Sequence, residues 1–425
     1  MNKSASSVRR TRVWVLAAML GMTPVMAGSS LLARAEDAPA APQSQQSLPP
    51  TLPPLNLATA VPAPPQLAAT SWILMDARTG QVLIEHDSHK RVPPASLTKL
   101  MTAYIAEYRT ANGQLPPDTP VSVSEHAWRT GGSRMFLRVG TTVPASELMK
   151  GIVIQSGNDA SVAMAEHISG SEDTFAVLMN SMARALGMKD SHFMNATGLP
   201  HDEHYSTAYD LSILARHIVN DYPEHASLYA QKEFTYNNIR QPNRNLLLYR
   251  DARVDGLKTG HTDAAGYCMV ASAKQGDMRL IAVVMGTASE QARASETQKL
   301  LNHGFLYYTT QLVYKKGPID STLGKGPVDS TLRIWGGDKN HLHVGFESDV
   351  YATLPRGDAP LSQHIDLPSS LNAPIQKGQV VGSVTVRRAD QALVQVPIVA
   401  LEEVDEAGFF GRLWDSIVRF FVHLF

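Results

Sequence analysis

The sequence predicts an α+β fold with an antiparallel sheet covered by helices, then a small all-β sandwich domain and a C-terminal amphipathic helix. Three observations support this prediction. Strand-like runs are joined by tight turns, and strands joined in this way are antiparallel. Apolar residues recur at helical spacing between those runs. From residue 332 to 403 the chain changes to short β-branched runs separated by turn residues, which predicts strands without helices.

Composition narrows the possible functions. The chain has 425 residues, which is enough for two domains, and its net charge is −1. This charge argues against nucleic acid as a partner, because phosphate binding needs clustered Lys and Arg. Cys268 is the only cysteine, so no intramolecular disulfide can form, and we expect it to be buried in a strand. Metal-binding motifs are absent and histidines such as His201 and His204 are expected at the surface, so we predict neither a metal nor a cofactor.

The N-terminal segment has the pattern of a secretory signal at residues 1–35. A basic start precedes an apolar core at 13–22, and small-residue cleavage patterns end at Ala27 and Ala35. An uncleaved N-terminal anchor is the alternative. Residues 36–66 are rich in Pro, Ala and Gln, which predicts a semi-rigid disordered linker.

The first folded domain is predicted over residues 67–310. The elements expected there are, in order, a hairpin from strands at 72–75 and 82–84, a helix after Ser96, a helix at 159–168, helices at 175–186 and 209–219, strands at 267–273 and 279–285, and a helix at 289–306. The helix at 175–186 should end at Gly187, because glycine is the usual residue after a helix C-terminus.

Ser96 and Lys99 stand at the start of a predicted helix. Pro93 and Pro94 fix the direction in which the chain approaches it, because a residue before proline avoids the helical region. Residues three apart share a helix face, so the Ser96 hydroxyl and the Lys99 ammonium point the same way. A helix N-terminus also favours negative charge. This arrangement suits a serine that becomes an alkoxide.

Two further motifs follow downstream. Ser156-Gly157-Asn158 precedes a predicted helix, and Lys258-Thr259-Gly260 precedes a predicted strand. The set S-x-x-K, S-D-N and K-T-G is shared by β-lactamases and penicillin-binding proteins. This chain has glycine where the second motif has aspartate, but the order and spacing agree.

On these motifs, and on the stretches 131–136, 237–241 and 255–263, the chain resembles the low-molecular-weight penicillin-binding proteins, which are serine-type D-alanyl-D-alanine carboxypeptidases of cell-wall metabolism. The resemblance covers about residues 67 to 425. It implies a DD-peptidase/β-lactamase-like first domain that removes the terminal D-alanine from peptidoglycan stem pentapeptides through an acyl-enzyme. It also implies β-lactam antibiotics as covalent inhibitors.

The chemistry of the residues assigns the first two roles. Ser96 is expected to be the nucleophile and Lys99 its general base, since a neutral lysine can serve when burial or a second cation lowers its pKa. We expect Lys258 to be that cation. The resemblance adds that Ser156 relays a proton toward the leaving amine and that Asn158 holds the substrate amide.

The resemblance also implies how the third motif binds substrate. Thr259 and Gly260 would present a strand edge to the peptide, and the oxyanion would lie between the backbone N–H groups of Ser96 and His261. The candidates for binding the terminal carboxylate are Lys258, Thr259, Thr262 and Arg293. The alternative for Arg293 is an exposed helix residue in a surface ion pair. Arg244 and Asp210 also match family positions, and a structural role is at least as expected for them.

A β-lactamase with the same acylation machinery is the alternative function. Rapid hydrolysis of its acyl-enzyme usually needs an extra carboxylate, but the loop after residue 180 contains no Glu-x-x-x-Asn, and Glu203 is a poor substitute. An inactive peptidoglycan-binding scaffold is disfavoured because all three motifs are intact.

The C-terminal part predicts a non-catalytic module and a membrane contact. Residues 311–403 are expected to form the β-sandwich domain. Residues 404–425 place apolar side chains on one helical face, namely Phe410, Leu413, Ile417, Phe421 and Leu424. Such a helix is typical of a membrane interface and is too short to span with confidence, although packing on its own domain is the alternative. We therefore expect an exported, periplasmic protein attached to the outer face of the inner membrane.

Overall fold

The computed structural model describes residues 61–319, 330–357, 361–388, 391–409 and 418. The predicted signal, nearly all of the linker and most of the predicted terminal helix lie outside the described residues. Among the described residues, no helix combines the length and apolar character needed to cross a membrane.

The first domain mixes helices with strands, as predicted. In chain order it contains β1 (Ser71–Asp76), β2 (Val82–His86), α1 (Lys99–Ala111), β3 (Pro120–Ser122), α2 (Glu125–Arg129), β4 (Thr142–Pro144), α3 (Ala145–Lys150), α4 (Asn158–Ser169), α5 (Glu172–Leu186), α6 (Ala208–Asp221), α7 (Ala226–Tyr229), β5 (Glu233–Tyr236), β6 (Ile239–Pro242), α8 (Leu247–Arg250), β7 (Val254–Thr262), β8 (Gly266–Gln275), β9 (Met278–Thr287) and α9 (Glu290–Tyr307). Short helical turns at Ala95–Thr98 and Gly151–Gln155 precede α1 and α4.

The main sheet is antiparallel, with strand order β2-β1-β9-β8-β7. Successive side chains of a strand point to opposite faces, so Ile73 and Leu74 lie in different cores. One core packs the sheet against α1, α5 and α6, and the other packs it against α9. Helices therefore cover both faces, which confirms the α+β prediction.

The predicted elements agree closely with those observed. Helix α5 begins after Ser171, whose hydroxyl accepts a hydrogen bond from the Thr174 amide, and it ends at Gly187, where φ is 84°. Cys268 is buried in β8, as expected. His204 corrects the surface prediction. It is only 4% exposed and shares a 2.9 Å hydrogen bond between its Nε2 and the Thr98 hydroxyl.

The second domain is all β in its described residues. Its strands are β10 (Tyr308–Tyr314), β11 (Gly317–Pro318), β12 (Thr331–Trp335), β13 (His341–Phe346), β14 (Val350–Pro355), β15 (Leu361–Asp366), β16 (Ser370–Asn372), β17 (Val380–Arg388) and β18 (Gln391–Ala400). Strands β10 and β14 pair with each other, while the others follow the order β15-β17-β18-β13-β12-β16 with β11 beside β13. Both sheets contribute to one core, which includes Val313, Leu354, Val344 and Val384.

The end of this domain bears on the predicted terminal helix. Val404 is fully buried in the β core and forms an antiparallel bridge with Ile375. The Ala407 amide donates to the Gly336 carbonyl at 2.8 Å. Residues 404–407 thus complete the β domain, and helical geometry starts at Phe409 rather than at 404.

Polar contacts join the two domains around Asp76, a fully buried carboxylate at the end of β1. Its Oδ1 accepts from the backbone amides of Arg78 and Thr79, at 2.9 and 2.8 Å, and its Oδ2 accepts from the Thr310 hydroxyl on β10. The Thr79 and Thr353 hydroxyls share a 2.7 Å hydrogen bond. These bonds link the β1–β2 turn of the first domain to β10 and β14 of the second.

Candidate active site

Ser96 lies in the tight turn Ala95–Thr98, and Lys99 is the first residue of α1. Ser96 is thus one turn before the α-helix rather than inside it. The chain enters this turn through Ala95, which has a φ of 49°. The Lys99 Nζ donates a 3.1 Å hydrogen bond to the Ser96 Oγ, so the structure brings the expected nucleophile and base into contact.

The loop at 195–198, which was not predicted to reach the site, also binds the ammonium group of Lys99. The Lys99 Nζ donates to the Thr197 carbonyl at 2.5 Å. The Asn195 Oδ1 shapes this loop by accepting from the amides of Thr197 and Gly198, at 3.1 and 2.7 Å. Gly198 has a φ of 81°, and a Cβ there would lie 1.8 Å from the Ala95 carbonyl. The only sequence signal was the turn chemistry of Asn-Ala-Thr-Gly.

The electrostatics of the site suit a lysine base. Lys99 is 1% exposed, and burial followed by the charge of Arg244 lowers the pKa of Lys99 to about 7. We expected Lys258 to be the assisting cation, and the two buried lysines do act on each other. Burial, followed by the charge of Lys99, lowers the pKa of Lys258 well below its usual value. A charge on either lysine disfavours the charged form of the other, and Arg244 acts on both.

Ser156 sits where the turn Gly151–Gln155 meets α4. Its φ and ψ are 65° and 34°, a left-handed conformation that is costly for a residue with a side chain. Its Oγ is buried and has no hydrogen-bond partner among the described residues. Strained backbone and an unpaired buried hydroxyl both concentrate at functional sites, where a substrate can supply the missing partner.

Asn158 fastens the second motif to the loop at 131–133. The side-chain Nδ2 of Asn158 donates to the Gly131 carbonyl at 2.6 Å, and its backbone N–H donates to the Ser133 carbonyl at 2.7 Å. The Arg244 Nη1 donates to the Ser133 hydroxyl at 2.8 Å. Ser133 thus connects the second motif with the arginine that acts on Lys99 and Lys258.

Asp159, also missed from the sequence, explains why the second motif contains glycine. Its Oδ1 accepts from the Met135 amide at 2.8 Å and its Oδ2 from the Leu137 amide at 3.0 Å. A Cβ on Gly157 would lie 2.9 Å from the Asp159 Oδ1 and 3.1 Å from the Met135 nitrogen. The aspartate of S-D-N would collide with this arrangement, so the departure from the motif has a steric cause.

The third motif lies on β7, at the edge of the main sheet. The Lys258 Nζ donates to the Thr259 carbonyl at 2.9 Å. Gly260 lets β7 approach the nucleophile, since a Cβ there would lie 3.1 Å from the Pro94 carbonyl and 3.2 Å from the Leu97 amide. The exposed His261 ring stacks on Tyr267, with ring centroids 4.0 Å apart.

Arg293 is buried, which rules out the exposed-residue alternative. It is 2% exposed, and its guanidinium donates to the Gly260 carbonyl at 3.4 Å and to the Arg244 carbonyl at 3.2 Å. Its Nε has no hydrogen-bond partner among the described residues. Burial lowers the pKa of Arg293. The side chain is thus held behind β7, next to the third motif.

Two cavities near the active site share Leu199 in their linings. The first, of about 410 Å³, is lined by Ala95 and Thr262 among others, and the second, of about 360 Å³, by Thr197. Within the described ranges, no cluster of three or more His, Cys, Asp or Glu side chains could hold a metal ion.

Other candidate residues have structural surroundings. Asp210 accepts from the Asp190 amide at 2.8 Å and the Ser191 hydroxyl at 2.7 Å, so it fixes a loop. Glu203, the weak candidate for a deacylating base, is exposed. The carboxylates that favour the charged form of Lys99 are Asp159 and then Glu172. The Glu172 Oε1 accepts from the Ala196 amide at 2.9 Å.

Family models match both domains of the chain. Residues 58–289 match the model for D-alanyl-D-alanine carboxypeptidase. Residues 308–406 match the model for the C-terminal domain of penicillin-binding protein 5. The two matches together span the described part of the chain almost completely.

Individual relatives agree with these matches. The D-alanyl-D-alanine carboxypeptidase DacA of Escherichia coli (strain K12) is 43% identical over 381 residues, covering 87% of this chain and 92% of the relative. The crystal structure of penicillin-binding protein 5 from Haemophilus influenzae is 37% identical, with a TM-score of 0.76 over 81% of this chain and 99% of that one. Penicillin-binding protein D2 from Listeria monocytogenes, solved in an ampicillin-bound form, is 30% identical, with a TM-score of 0.52 over 56% of this chain and 98% of that one.

Proposed function

The chain belongs to the D-alanyl-D-alanine carboxypeptidase family, and we propose how its residues remove the terminal D-alanine from a peptidoglycan stem pentapeptide. The enzyme is a serine-type peptidase that binds β-lactams, and the β-lactamase alternative is not favoured. The observation that carries the mechanism is the 3.1 Å contact between the Lys99 Nζ and the Ser96 Oγ.

Acylation begins with neutral Lys99. It takes the Ser96 hydroxyl proton while Oγ attacks the carbonyl carbon of the penultimate D-alanine. The carbonyl oxygen becomes an oxyanion that accepts from the backbone N–H groups of Ser96 and His261. A pKa of about 7 for Lys99 keeps a substantial fraction of it neutral at physiological pH.

Departure of D-alanine needs a proton on its nitrogen. Ser156 donates its hydroxyl proton to that nitrogen and regains one from the Lys99 ammonium, so the C–N bond breaks and Lys99 becomes neutral again. A water molecule then attacks the Ser96 ester, with Lys99 as its base, and Ser96 leaves protonated. The buried Ser156 Oγ, which has no other hydrogen-bond partner among the described residues, supports this relay.

Binding uses the edge of the sheet. The stem peptide lies along Thr259 and Gly260 as an added strand, a mode in which main-chain hydrogen bonds give affinity. Asn158 holds the peptide amide. The terminal carboxylate is bound by Lys258 and Thr259, and Arg293 reinforces the positive potential from behind β7. An arriving carboxylate favours the charged form of Lys258, which opposes the effect of burial on its pKa.

The test is D-alanine release from a stem pentapeptide by the wild type and by Ser96→Ala. We expect a loss of at least about a thousandfold, with no labelling by radioactive penicillin. Ser295→Ala, on the exposed side of α9, is the matched control and should keep full activity. Release that survives Ser96→Ala would remove Ser96 from the mechanism. Rapid penicillin turnover without a trapped label would instead favour the β-lactamase.

We further propose where the protein acts and how the chain is divided. The signal at 1–35 directs export, the linker at 36–66 precedes the peptidase domain, and the site faces the periplasm. Residues 67–310 form the peptidase domain, 311–403 the β domain, and the apolar face beyond it rests on the outer surface of the inner membrane. The supporting observation is the sequence pattern of these segments.

A further inference from the structure

A cavity of about 240 Å³ lies between α1, α3 and the segment 225–231, and the proposed mechanism does not use it. Its walls are largely apolar, with Leu115, Met149 and Leu228 among the residues that form them. Three titratable side chains, Glu107, His225 and Lys150, interrupt the apolar lining. We call this space the Glu107 cavity.

The carboxylate of Glu107 is incompletely paired. The side chain is 1% exposed, and its Oε1 accepts a 2.8 Å hydrogen bond from the Tyr229 hydroxyl. The His225 Nδ1 lies 3.5 Å from the same oxygen, which is too long for a strong hydrogen bond. In the part of the chain that the structure describes, neither the Glu107 Oε2 nor the His225 Nδ1 has a hydrogen-bond partner. Leaving such atoms buried and unpaired is costly, so a donor from outside would be stabilising.

The charges around the cavity favour a cation. Burial raises the pKa of Glu107, and Glu224 adds to this effect, whereas His225 and Tyr229 oppose it. A bound cation would hold Glu107 ionised. The cation among the lining residues, Lys150, is already paired with Glu147 at 2.5 Å.

We propose that the Glu107 cavity binds a small primary ammonium ion with an apolar body. The ammonium group donates to the Glu107 Oε2, and the body packs against Leu115, Met149 and Leu228. An apolar protein cavity of about 150 Å³ can hold benzene. The Glu107 cavity is larger, so a benzene ring with an aminomethyl group fits its volume.

The position of the cavity places an occupant next to both catalytic segments. Glu107 lies on α1, the helix that begins at Lys99. Met149 and Lys150 end α3, directly before the turn Gly151–Gln155 that leads to Ser156. The proposed site is distinct from the peptidase site and does not depend on the proposed function.

Benzylamine is the probe, and the Met149 methyl group is the reporter. The full chain is labelled with ¹³C-methyl methionine, and the Met149 resonance is assigned by its loss in Met149→Leu. Benzylamine should shift this resonance saturably, with a dissociation constant on the order of 1 mM. Glu107→Gln keeps the size of the side chain but removes its charge, and it should weaken binding about tenfold or more. Glu125→Gln, an exposed carboxylate outside the lining that does not act on the pKa of Glu107, is the matched control and should bind as the wild type does.

Two further measurements protect the test against a misfolded variant. Ser227→Trp, at an exposed position of the lining, should close the cavity without disturbing the core and abolish the shift. Benzyl alcohol, which is uncharged, should bind the wild type more weakly than benzylamine. The proposal is overturned if benzylamine gives no saturable shift, or if Glu107→Gln or benzyl alcohol matches the wild-type affinity for benzylamine. These readouts do not involve peptidase activity, so their failure would leave the proposed function untouched.

Discussion

Lys99 shows how a single residue acquires its chemistry from its surroundings. Its ammonium group is buried between the Ser96 hydroxyl and the Thr197 carbonyl, and neither partner carries a compensating negative charge. Burial therefore dominates and brings the pKa of Lys99 down to about 7. The base is available near neutral pH because the fold withholds solvent from it.

The first prediction concerns the pH dependence of acylation. Since only neutral Lys99 can accept the Ser96 proton, the rate should rise with pH through about 7 in the wild type. Arg244→Gln removes a cation that disfavours protonated Lys99, so the pKa of Lys99 should rise and the profile should shift to higher pH. Second-order rates of penicillin acylation measured across pH would show the shift. Arg240→Gln, which breaks an exposed ion pair with Glu233, is the control and should leave the profile in place.

The sequence predicted Ser96 and Lys99 correctly as a pair, because residues three apart near a helix start must share a face. It could not predict the groups that tune them. Thr197 and Arg244 lie in loops whose paths depend on tertiary packing, and the sequence singled out Arg244 only as a match to a family position. Asp159 lies on α4, directly after the second motif. Lys258 was expected to be the assisting cation because its motif is recognisable, and Arg244 adds a further positive charge that acts on both lysines.

At the scale of elements, the loop at 131–137 and the start of α4 form one unit. Asp159 accepts amide hydrogen bonds from Met135 and Leu137 and from its own neighbour Ala160. Asn158 and Ser133 add a second set of bonds between the same two segments. The second motif is therefore held from outside its own helix, which explains how Ser156 can keep a left-handed backbone.

The second prediction tests this unit through Gly157. Gly157→Ala should destabilise the protein by about 1–3 kcal/mol and slow acylation, because the new methyl group collides with the Asp159 carboxylate and the Met135 backbone. Urea unfolding measures the first effect and penicillin labelling the second. Gly131→Ala is the matched control for stability, since a Cβ there meets nothing within 4 Å. Equal unfolding free energies for the two variants would show that the Gly157 space is not needed.

Periodicity predicted β1, β2, β8, β9 and the five longest helices of the first domain, because their apolar faces are strong, but it did not predict β7 or the short elements. It failed where local geometry departs from regular repeats. The turn Gly151–Gln155, which places Ser156, has no periodic signal, and Ser96 lies in a tight turn rather than in α1. Both exceptions occur at the active site, where backbone strain is expected.

At the scale of the whole molecule, the two domains share a polar junction rather than a loose linker. Asp76 bonds to the amides of its own turn and to Thr310, and Arg78 lies over the Tyr351 ring, 4.0 Å from its centroid. A buried carboxylate needs all its hydrogen bonds to be tolerated. These contacts therefore hold the β domain against the turn that follows β1 of the peptidase domain.

The last prediction concerns the terminal segment. Deleting residues 410–425 should release the protein from membranes without loss of carboxypeptidase activity, because Ser96 and Lys99 belong to the other domain and the β core ends at residues 404–407. Deleting from 404 would also remove Val404 from that core, so its effect would mix anchoring with unfolding. Membrane sedimentation and D-alanine release measure the two properties.

Two substitutions test whether membrane attachment depends on the predicted apolar face of this segment. Phe421→Asp places a charge on the predicted apolar face and should release the protein, since a charged group at a lipid interface loses the stabilisation that apolar burial supplies. Ser416→Asp places the same charge on the predicted polar face and should leave attachment intact. If the protein lacking 410–425 still sediments with membranes, the anchor is the uncleaved N-terminal segment, and an N-terminal truncation should then release it.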